Sequence, residues 1–184
     1  MNGVMDRAWW ERVLNVAFIG FALGLAWGLK DFYSHARFED LGWVLAPTRR
    51  LVEWLSGASF AAEPGIGYLS RDHRFQIVPA CAGVNFMIVA FASLTCGLMH
   101  TRTTMRGRLG LLFASAMAAY GVTIVANAAR ISAAMRLHAA GVTWGPLGTE
   151  HLLTAAGVVV YSLFLGGLFG IGARMTGAGR DFAI

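Results

Sequence analysis

Charged residues are scarce in this chain. Only 14% of its 184 residues are Asp, Glu, Lys or Arg, whereas 57% are hydrophobic. A soluble domain carries about a quarter of its residues charged, so this composition excludes an ordinary soluble fold and indicates an integral membrane protein. The 15 Lys and Arg residues are divided among separate short segments, which argues against nucleic-acid binding.

Cysteine is rare as well. The two cysteines, Cys81 and Cys96, lie in one apolar run, about 22 Å apart along a helix that rises roughly 1.5 Å per residue. A disulfide requires Cα atoms within about 7 Å of each other, so the two cannot pair within the chain. The sequence therefore predicts that Cys81 is a free thiol.

Four long stretches contain no charged side chain, and a spanning helix needs roughly 20 such residues. No internal repeat or linker divides the chain, so we expect a single membrane domain over residues 1–184. The sequence predicts an all-α integral membrane protein with about four transmembrane helices near 13–29, 80–100, 109–129 and 152–173. The first stretch also resembles a signal peptide, but no small-x-small cleavage site leads into a soluble domain.

The arginines predict how these helices are oriented. Lys and Arg favour the cytoplasmic side of short loops, and seven of the 15 lie before the first stretch, in the 101–108 loop or after the last stretch. The other eight lie in longer segments, where seven acidic residues nearly balance them. Both termini are then cytoplasmic, and the segments 30–79 and 130–151 lie outside. The chain is expected to be a multi-pass protein of the cytoplasmic (inner) membrane, with its basic residues near anionic lipid.

The outer segment 30–79 contains two further patterns. Residues 43–56 have apolar side chains on one helical face, which predicts an amphipathic helix in the outer interface. A fifth spanning helix over 41–60 is the alternative, but two arginines and a glutamate at its middle would each cost a few kcal/mol. Residues 66–78 predict a short hairpin, and Pro79 suits the first turn of the next helix, which places Cys81 in that turn.

Three residues that support acyl-transfer chemistry lie at ends of different apolar stretches, and the predicted topology places all three on the outer face. Cys81 lies at a helix N-terminus, which favours the nucleophilic thiolate. Arg130 shares a helix face with Asn127, and such donors stabilise an oxyanion by about 3–4 kcal/mol. His151 has the residue type that most often transfers protons near neutral pH.

Each residue also has a simpler interpretation. A lone membrane cysteine is often only a small apolar side chain, a boundary arginine is often a membrane anchor, and His151 alone is an ordinary interfacial residue. No His-Glu-x-x-His pair, close Cys/His spacing, P-loop or dinucleotide fingerprint occurs in the sequence. We therefore predict neither a metal nor a cofactor.

The residues resemble the exosortase/archaeosortase family of membrane transpeptidases. The similarity consists of Cys81-Ala82-Gly83 opening a membrane helix, Asn127-Ala128-Ala129-Arg130 closing the next, and His151 opening the last. It covers about 65–172, and the chain is similar to the short exosortase K form. Gly83 and Asn127 are then supporting residues.

The resemblance implies a Cys–His–Arg protease and transpeptidase at the outer face. Its substrates would be secreted proteins with a C-terminal sorting signal: a short motif, a transmembrane helix and a basic tail. Cys81 would be the nucleophile, Arg130 the oxyanion stabiliser and His151 the general acid and base. A thioester on Cys81 would pass to a lipid or glycan acceptor, or to water.

Two other functions compete with this one. A non-catalytic membrane scaffold or assembly protein would use the same polar residues only to anchor helices. A small carrier or channel is less well supported, because the apolar stretches contain almost no ionisable residue near mid-membrane.

Overall fold

Five α-helices and a small sheet form the computed structural model, which describes residues 2–72, 74–140 and 149–175. The side chains at 2–8, 149–153, 156, 173 and 175, His151 among them, lie outside the description. The helices are α1 (Asn2–His35), α2 (Gly42–Ser56), α3 (Val84–Leu98), α4 (Met105–Ala139) and α5 (Thr149–Met175). The strands are β1 (Phe60–Glu63), β2 (Gly67–Ser70) and β3 (Gln76–Ile77).

Within the described ranges, three helices are long and apolar enough to cross a membrane. They are Trp9–His35 within α1, Pro79–Thr101 around α3 and Met105–Ala139, which is α4. The fourth predicted span lies in α5, where the described residues contain a shorter apolar helix, Gly157–Gly172. The mostly helical, membrane-protein character is confirmed, and the count of four spans stays a prediction.

The long helices alternate in direction. The end of α1 lies at the start of α3, where the Lys30 amine donates to the Asn85 side chain at 2.9 Å. The start of α1 lies at the start of α4, where Arg108 pairs with Glu11. Because α4 begins just after α3 ends, Cys81 and the 101–108 loop lie at opposite ends of the helices.

Helix α5 runs antiparallel to α4. Its early residue Gly157 lies against the Arg130 side chain, while its later residues Phe169 and Gly172 lie against Gly97 and Leu98 of α3. This direction returns the chain from the Cys81 end of the helices towards the other end.

Helix α2 packs lengthwise beside α4. The Trp43 carbonyl accepts a hydrogen bond from the Tyr120 hydroxyl at 2.8 Å, and the Leu55 carbonyl accepts one from Arg136 at 3.2 Å. Val44, at 0% exposure, is typical of its apolar face, which is covered by protein. The prediction of an amphipathic helix is confirmed, with its apolar face against protein, and its position in the outer interface stays a prediction.

The alternative of a fifth span over 41–60 finds no support, because among the described residues α2 is not one of the helices long and apolar enough to cross a membrane. Helix α2 has 15 residues, about 22 Å at roughly 1.5 Å per residue, and the hydrocarbon core is about 30 Å thick. The charges that argued against this span pack against the sheet: Glu53 accepts from the Phe60 backbone N–H at 2.9 Å, and the Arg49 guanidinium lies 4.9 Å from the centre of the Tyr68 ring.

The sheet is antiparallel, in the order β1-β2-β3. The predicted hairpin corresponds to β2 and β3, with Tyr68 opposite Ile77, whereas β1 was not predicted. In the turn between β2 and β3, Asp72 accepts from the Ser70 hydroxyl at 2.6 Å. That bond, helped by the Arg74 N–H, lowers the pKa of the Asp72 carboxyl below its ordinary value.

Helix α4 continues well beyond the predicted span 109–129. Its 35 residues make it about 52 Å long at roughly 1.5 Å per residue. The prediction that Arg130 closes a helix is therefore wrong, because nine more helical residues follow it. The C-terminal turns of α4 form a wall at the Cys81 end of the molecule.

Candidate functional site

Cys81 lies in a 3-10 turn that precedes α3. The turn, Pro79–Cys81, follows the extended residue Val78, and Gly83 caps α3 in a left-handed conformation, with φ of 71°. Glycine adopts this conformation without the steric cost that a Cβ atom brings. The prediction that Cys81 lies in the first turn of α3 is therefore wrong, since the break at Gly83 separates the two.

The Asn127 side chain binds the backbone of Cys81. This fully buried side chain of α4 donates a hydrogen bond from Nδ2 to the Cys81 carbonyl oxygen. Its Oδ1 accepts from Nε and Nη2 of Arg130, both at 3.3 Å. One amide thus fixes the cysteine backbone and the arginine relative to each other.

Tyr161 of α5 completes this network. Its hydroxyl donates to Asn127 Oδ1 at 3.0 Å, and its ring stacks on Phe86 of α3 with centroids 4.6 Å apart. The Arg130 guanidinium lies 5.6 Å from the centre of the Tyr161 ring. Three helices therefore hold the guanidinium in place.

Two glycines allow these groups to approach closely. A Cβ atom on Gly83 would lie 3.3 Å from Asn127 Cγ, and one on Gly157 would lie 3.1 Å from Arg130 Cδ. Both contacts are tighter than side chains usually make. The lack of a side chain at Gly83 therefore admits the Asn127 amide, and the supporting role of Gly83 in catalysis stays a prediction.

Cys81 and Arg130 line the same cavity, which has a volume of about 250 Å³. Its other walls are β3 with Phe75 before it, the C-terminal turns of α4, and Thr154 of α5. The lining residues in these walls are Phe75, Gln76, Ile77, Ile131, Ala134, Met135 and Thr154. Among the described lining residues Arg130 alone is charged, so an anion forming in this mostly apolar space would face a single cation.

With respect to the described residues, Arg130 has donors left for such an anion. A guanidinium has five N–H donors, and two of them go to Asn127. Charge-assisted hydrogen bonds are roughly twice as strong as neutral ones. The geometry suits stabilisation of a negative oxygen within the cavity.

His151 belongs to the first turns of α5, three residues before Thr154. Its side chain lies outside the part of the chain that the structure describes. The structure thus brings together Cys81, Gly83, Asn127 and Arg130, while the geometry predicted for His151 stays a prediction.

Sequence reasoning missed three residues of this site. Tyr161 and Thr154 are polar groups within an otherwise apolar stretch, and that contrast was an available signal. Tyr33 of α1, whose hydroxyl donates to the Pro79 carbonyl at 3.4 Å, gave no comparable signal.

Comparison with known proteins found no matching family model, no similar curated protein and no similar solved structure. Among the described residues, no group of three or more His, Cys, Asp or Glu side chains is placed to hold a metal ion. The chemistry of the site is therefore argued from its own geometry.

Proposed function

We propose that this chain is a membrane cysteine protease and transpeptidase of the exosortase type. The observation that carries the proposal is the convergence of Cys81 and Arg130 on one cavity, with Asn127 bonded to both. A nucleophile beside a preorganised cation is the minimum that acyl transfer requires. The membrane-spanning character suits substrates that are themselves anchored in the bilayer.

In the first half of the reaction, His151 takes the thiol proton and the Cys81 sulfur attacks a peptide carbonyl carbon. A C–S bond forms, and the carbonyl electron pair moves to oxygen, where Arg130 stabilises the charge. The intermediate then collapses, the C–N bond breaks, and the leaving amine takes the proton from His151. The product is a thioester on Cys81 and a released C-terminal fragment.

In the second half, an amine or hydroxyl of a lipid or glycan attacks the thioester, or water does. His151 accepts the proton of the attacking group, the C–S bond breaks, and the proton returns to sulfur. The released acyl group is then joined to the acceptor. We place this chemistry at the outer face of the cytoplasmic membrane, where secreted proteins emerge.

The substrate would be a secreted protein with a C-terminal motif, a transmembrane helix and a basic tail. Its helix would lie beside the enzyme's helices in the bilayer, which raises the local concentration of the motif at the cavity. Cleavage would separate the exported domain from the helix and tail.

The test is processing of such a substrate, encoded by the same genome and tagged at both ends. Cys81→Ala is expected to abolish release of the C-terminal tag, and Arg130→Gln to slow it by about 10²- to 10³-fold, the usual effect of removing one oxyanion donor. Cys96→Ala and Arg136→Ala are matched controls, because Cys96 is exposed and Arg136 donates to Leu55 away from the cavity. Undiminished processing by Cys81→Ala would overturn the proposal.

A non-catalytic scaffold is the second candidate. The observation that favours it is the saturation of Asn127, whose bonds to Cys81, Arg130 and Tyr161 also hold three elements together without any chemistry. A scaffold predicts that Cys81→Ser is silent in cells, whereas the enzyme predicts a loss of processing with normal protein abundance.

A further inference from the structure

Within the described part of the chain, the edge of β3 that faces away from β2 is a free edge, and it borders the cavity that contains Cys81. In the pairing of β2 with β3, Ser70 donates its N–H to the Phe75 carbonyl at 2.9 Å. Residues in an antiparallel pair alternate between hydrogen-bonded and non-hydrogen-bonded partners. Gln76, opposite Leu69, is therefore a non-hydrogen-bonded partner, and its N–H and C=O point away from β2.

This edge lies beside the candidate catalytic residues. Gln76 and Ile77 line it together with Cys81 and Arg130. An unpaired strand edge is a template for another extended chain, since its N–H and C=O groups bind a backbone of any sequence. A chain on this edge would lie alongside the nucleophile.

The size of the cavity also favours a polypeptide segment over a separate small ligand. Its volume of about 250 Å³ is below the roughly 300–1,000 Å³ of typical small-molecule sites. The apolar wall formed by Ile131, Ala134 and Met135 suits a side chain of an extended segment, whose side chains alternate between two faces.

We propose that the substrate binds as an added strand on β3, with its backbone hydrogen-bonded to Gln76 and its scissile carbonyl next to Cys81. This deepens the proposed function and relies on it for the identity of the occupant. Affinity then comes from main-chain hydrogen bonds, and specificity comes from the wall of α4.

The opposite edge of the sheet supplies a matched control. Ser59 accepts from the Arg71 N–H at 3.1 Å, and Ala61 lies opposite Leu69, so the alternation directs the N–H and C=O of Ala62 away from β2. Ala62 is exposed and lies outside the set of residues that line the cavity. Proline lacks an N–H and is tolerated on edge strands, so one substitution can be compared at both edges.

The experiment uses the full chain in detergent with Cys96→Ala, so that Cys81 is the only thiol. The probe is acetyl-tri-alanine chloromethyl ketone, whose carbon forms a C–S bond with Cys81 as chloride leaves, and iodoacetamide is the reference reagent. Labelling rates are measured by intact mass spectrometry. Gln76→Pro is expected to slow the peptide reagent about fivefold, as for one net hydrogen bond of about 1 kcal/mol, without changing the iodoacetamide rate.

Ala62→Pro is expected to stay within twofold of the parent protein. A tri-alanine reagent methylated on its amide nitrogens gives a second measurement that needs no variant. It should label the parent protein several-fold more slowly, and the gap should shrink in Gln76→Pro, because both changes remove parts of the same pairing.

Equal rates in Gln76→Pro and the parent would overturn the proposal. So would an equal loss with both reagents, an equal loss in Ala62→Pro, or no effect of N-methylation on the parent. Edge-dependent labelling combined with full substrate processing by Cys81→Ala would instead refute the proposed enzyme and leave the strand-binding edge in place.

Discussion

At the scale of single residues, the site depends on one buried amide. Asn127 donates to the Cys81 carbonyl and accepts from Arg130 and Tyr161, so its donor and acceptor are both used. A buried polar group that loses its partner costs about 1–3 kcal/mol. The residues around Asn127 are therefore tightly constrained in shape as well as in polarity.

Gly83 should tolerate no side chain. Gly83→Ala is expected to lower the free energy of unfolding by about 2–3 kcal/mol, because the left-handed conformation costs roughly 1–2 kcal/mol with a Cβ atom and that atom would crowd Asn127 and Thr123. Unfolding in detergent by chemical denaturant measures this. Gly57, with φ of 72° and open space at its Cβ position, isolates the conformational part, so Gly57→Ala should cost only about 1–2 kcal/mol. Equal losses would contradict the crowding.

The Tyr161 hydroxyl should affect reactivity as well as stability. Tyr161→Phe is expected to cost about 1 kcal/mol, the net value of one hydrogen bond, and to change the iodoacetamide rate of Cys81 because Asn127 loses a partner. Tyr120→Phe removes a bond to the Trp43 carbonyl of 2.8 Å, about two helical turns before Asn127 on α4. It should match the stability loss and leave the rate unchanged. A shift of the rate in Tyr120→Phe, or none in Tyr161→Phe, would refute the positioning role.

At the scale of elements, a buried ion pair fixes the ends of α1 and α4 together. Arg108 is 1% exposed and pairs with Glu11, while its Nε donates to Asn15 at 3.1 Å and its Nη1 donates to the Thr103 carbonyl at 3.3 Å. The buried guanidinium thus has three hydrogen-bonding partners. Apolar side chains alone would offer it none. The pair therefore acts as a fixed point at the end of the helices opposite to Cys81.

Breaking this pair should loosen the α1–α4 contact. Glu11→Gln is expected to lower the free energy of unfolding by about 1–2 kcal/mol, less than the roughly 3–5 kcal/mol of a fully buried pair, because the Glu11 side chain is 43% exposed. Asp31→Asn is the control on the same helix, since Asp31 is 69% exposed and contacts only His35 among its described ion-pair partners. It should change stability by less than about 0.5 kcal/mol. Unfolding curves of both variants in one detergent measure the two losses, and equal losses would contradict a specific role for the Arg108–Glu11 pair.

Elements also show where sequence reasoning succeeded. The spacing of apolar residues and the positions of turn-forming residues predicted α2, the hairpin of β2 and β3, and the apolar helices. They failed for β1, since Phe60-Ala61-Ala62-Glu63 has weak strand propensity and is held by its pairing with β2 and by Glu53. They gave no indication that Arg49 and Glu53 pack against a sheet, because the pattern of a single helix does not reveal what covers its polar side.

At the scale of the whole molecule, α1, α3 and α4 alternate in direction, so Cys81 and the 101–108 loop lie at opposite ends. A spanning α3 would then separate Ala62 from Thr103. The prediction is that Ala62→Cys and Thr103→Cys, in a chain without native cysteines, react with a membrane-impermeant maleimide from opposite faces of the bilayer. Labelling of both from one face would contradict the crossing of α3.

The site as a whole was predictable in part. Cys81, Asn127 and Arg130 stood out because polar residues at the borders of apolar stretches are few, and helix topology brings such borders together. The break at Gly83 and the continuation of α4 past Arg130 were not predictable, because they depend on close packing of Gly83 against Asn127 and of α2 against α4. A hydrophobicity pattern indicates where contact with lipid ends. It does not show that α4 continues further because α2 packs against its last turns.

Because the end of α4 forms a wall of the cavity, the depth of the cavity in the membrane depends on the thickness of the bilayer. At about 52 Å for its 35 residues, the helix exceeds a hydrocarbon core of about 30 Å, and its last turns form the wall beside Cys81. The charge-free stretch 109–129 of α4 is about as long as that core is thick, so a thicker or thinner bilayer is a mismatch that the helix must accommodate. Longer acyl chains would draw the cavity towards the hydrocarbon and shorter ones would bring it closer to water, so bilayer thickness would change how readily water competes in the proposed reaction.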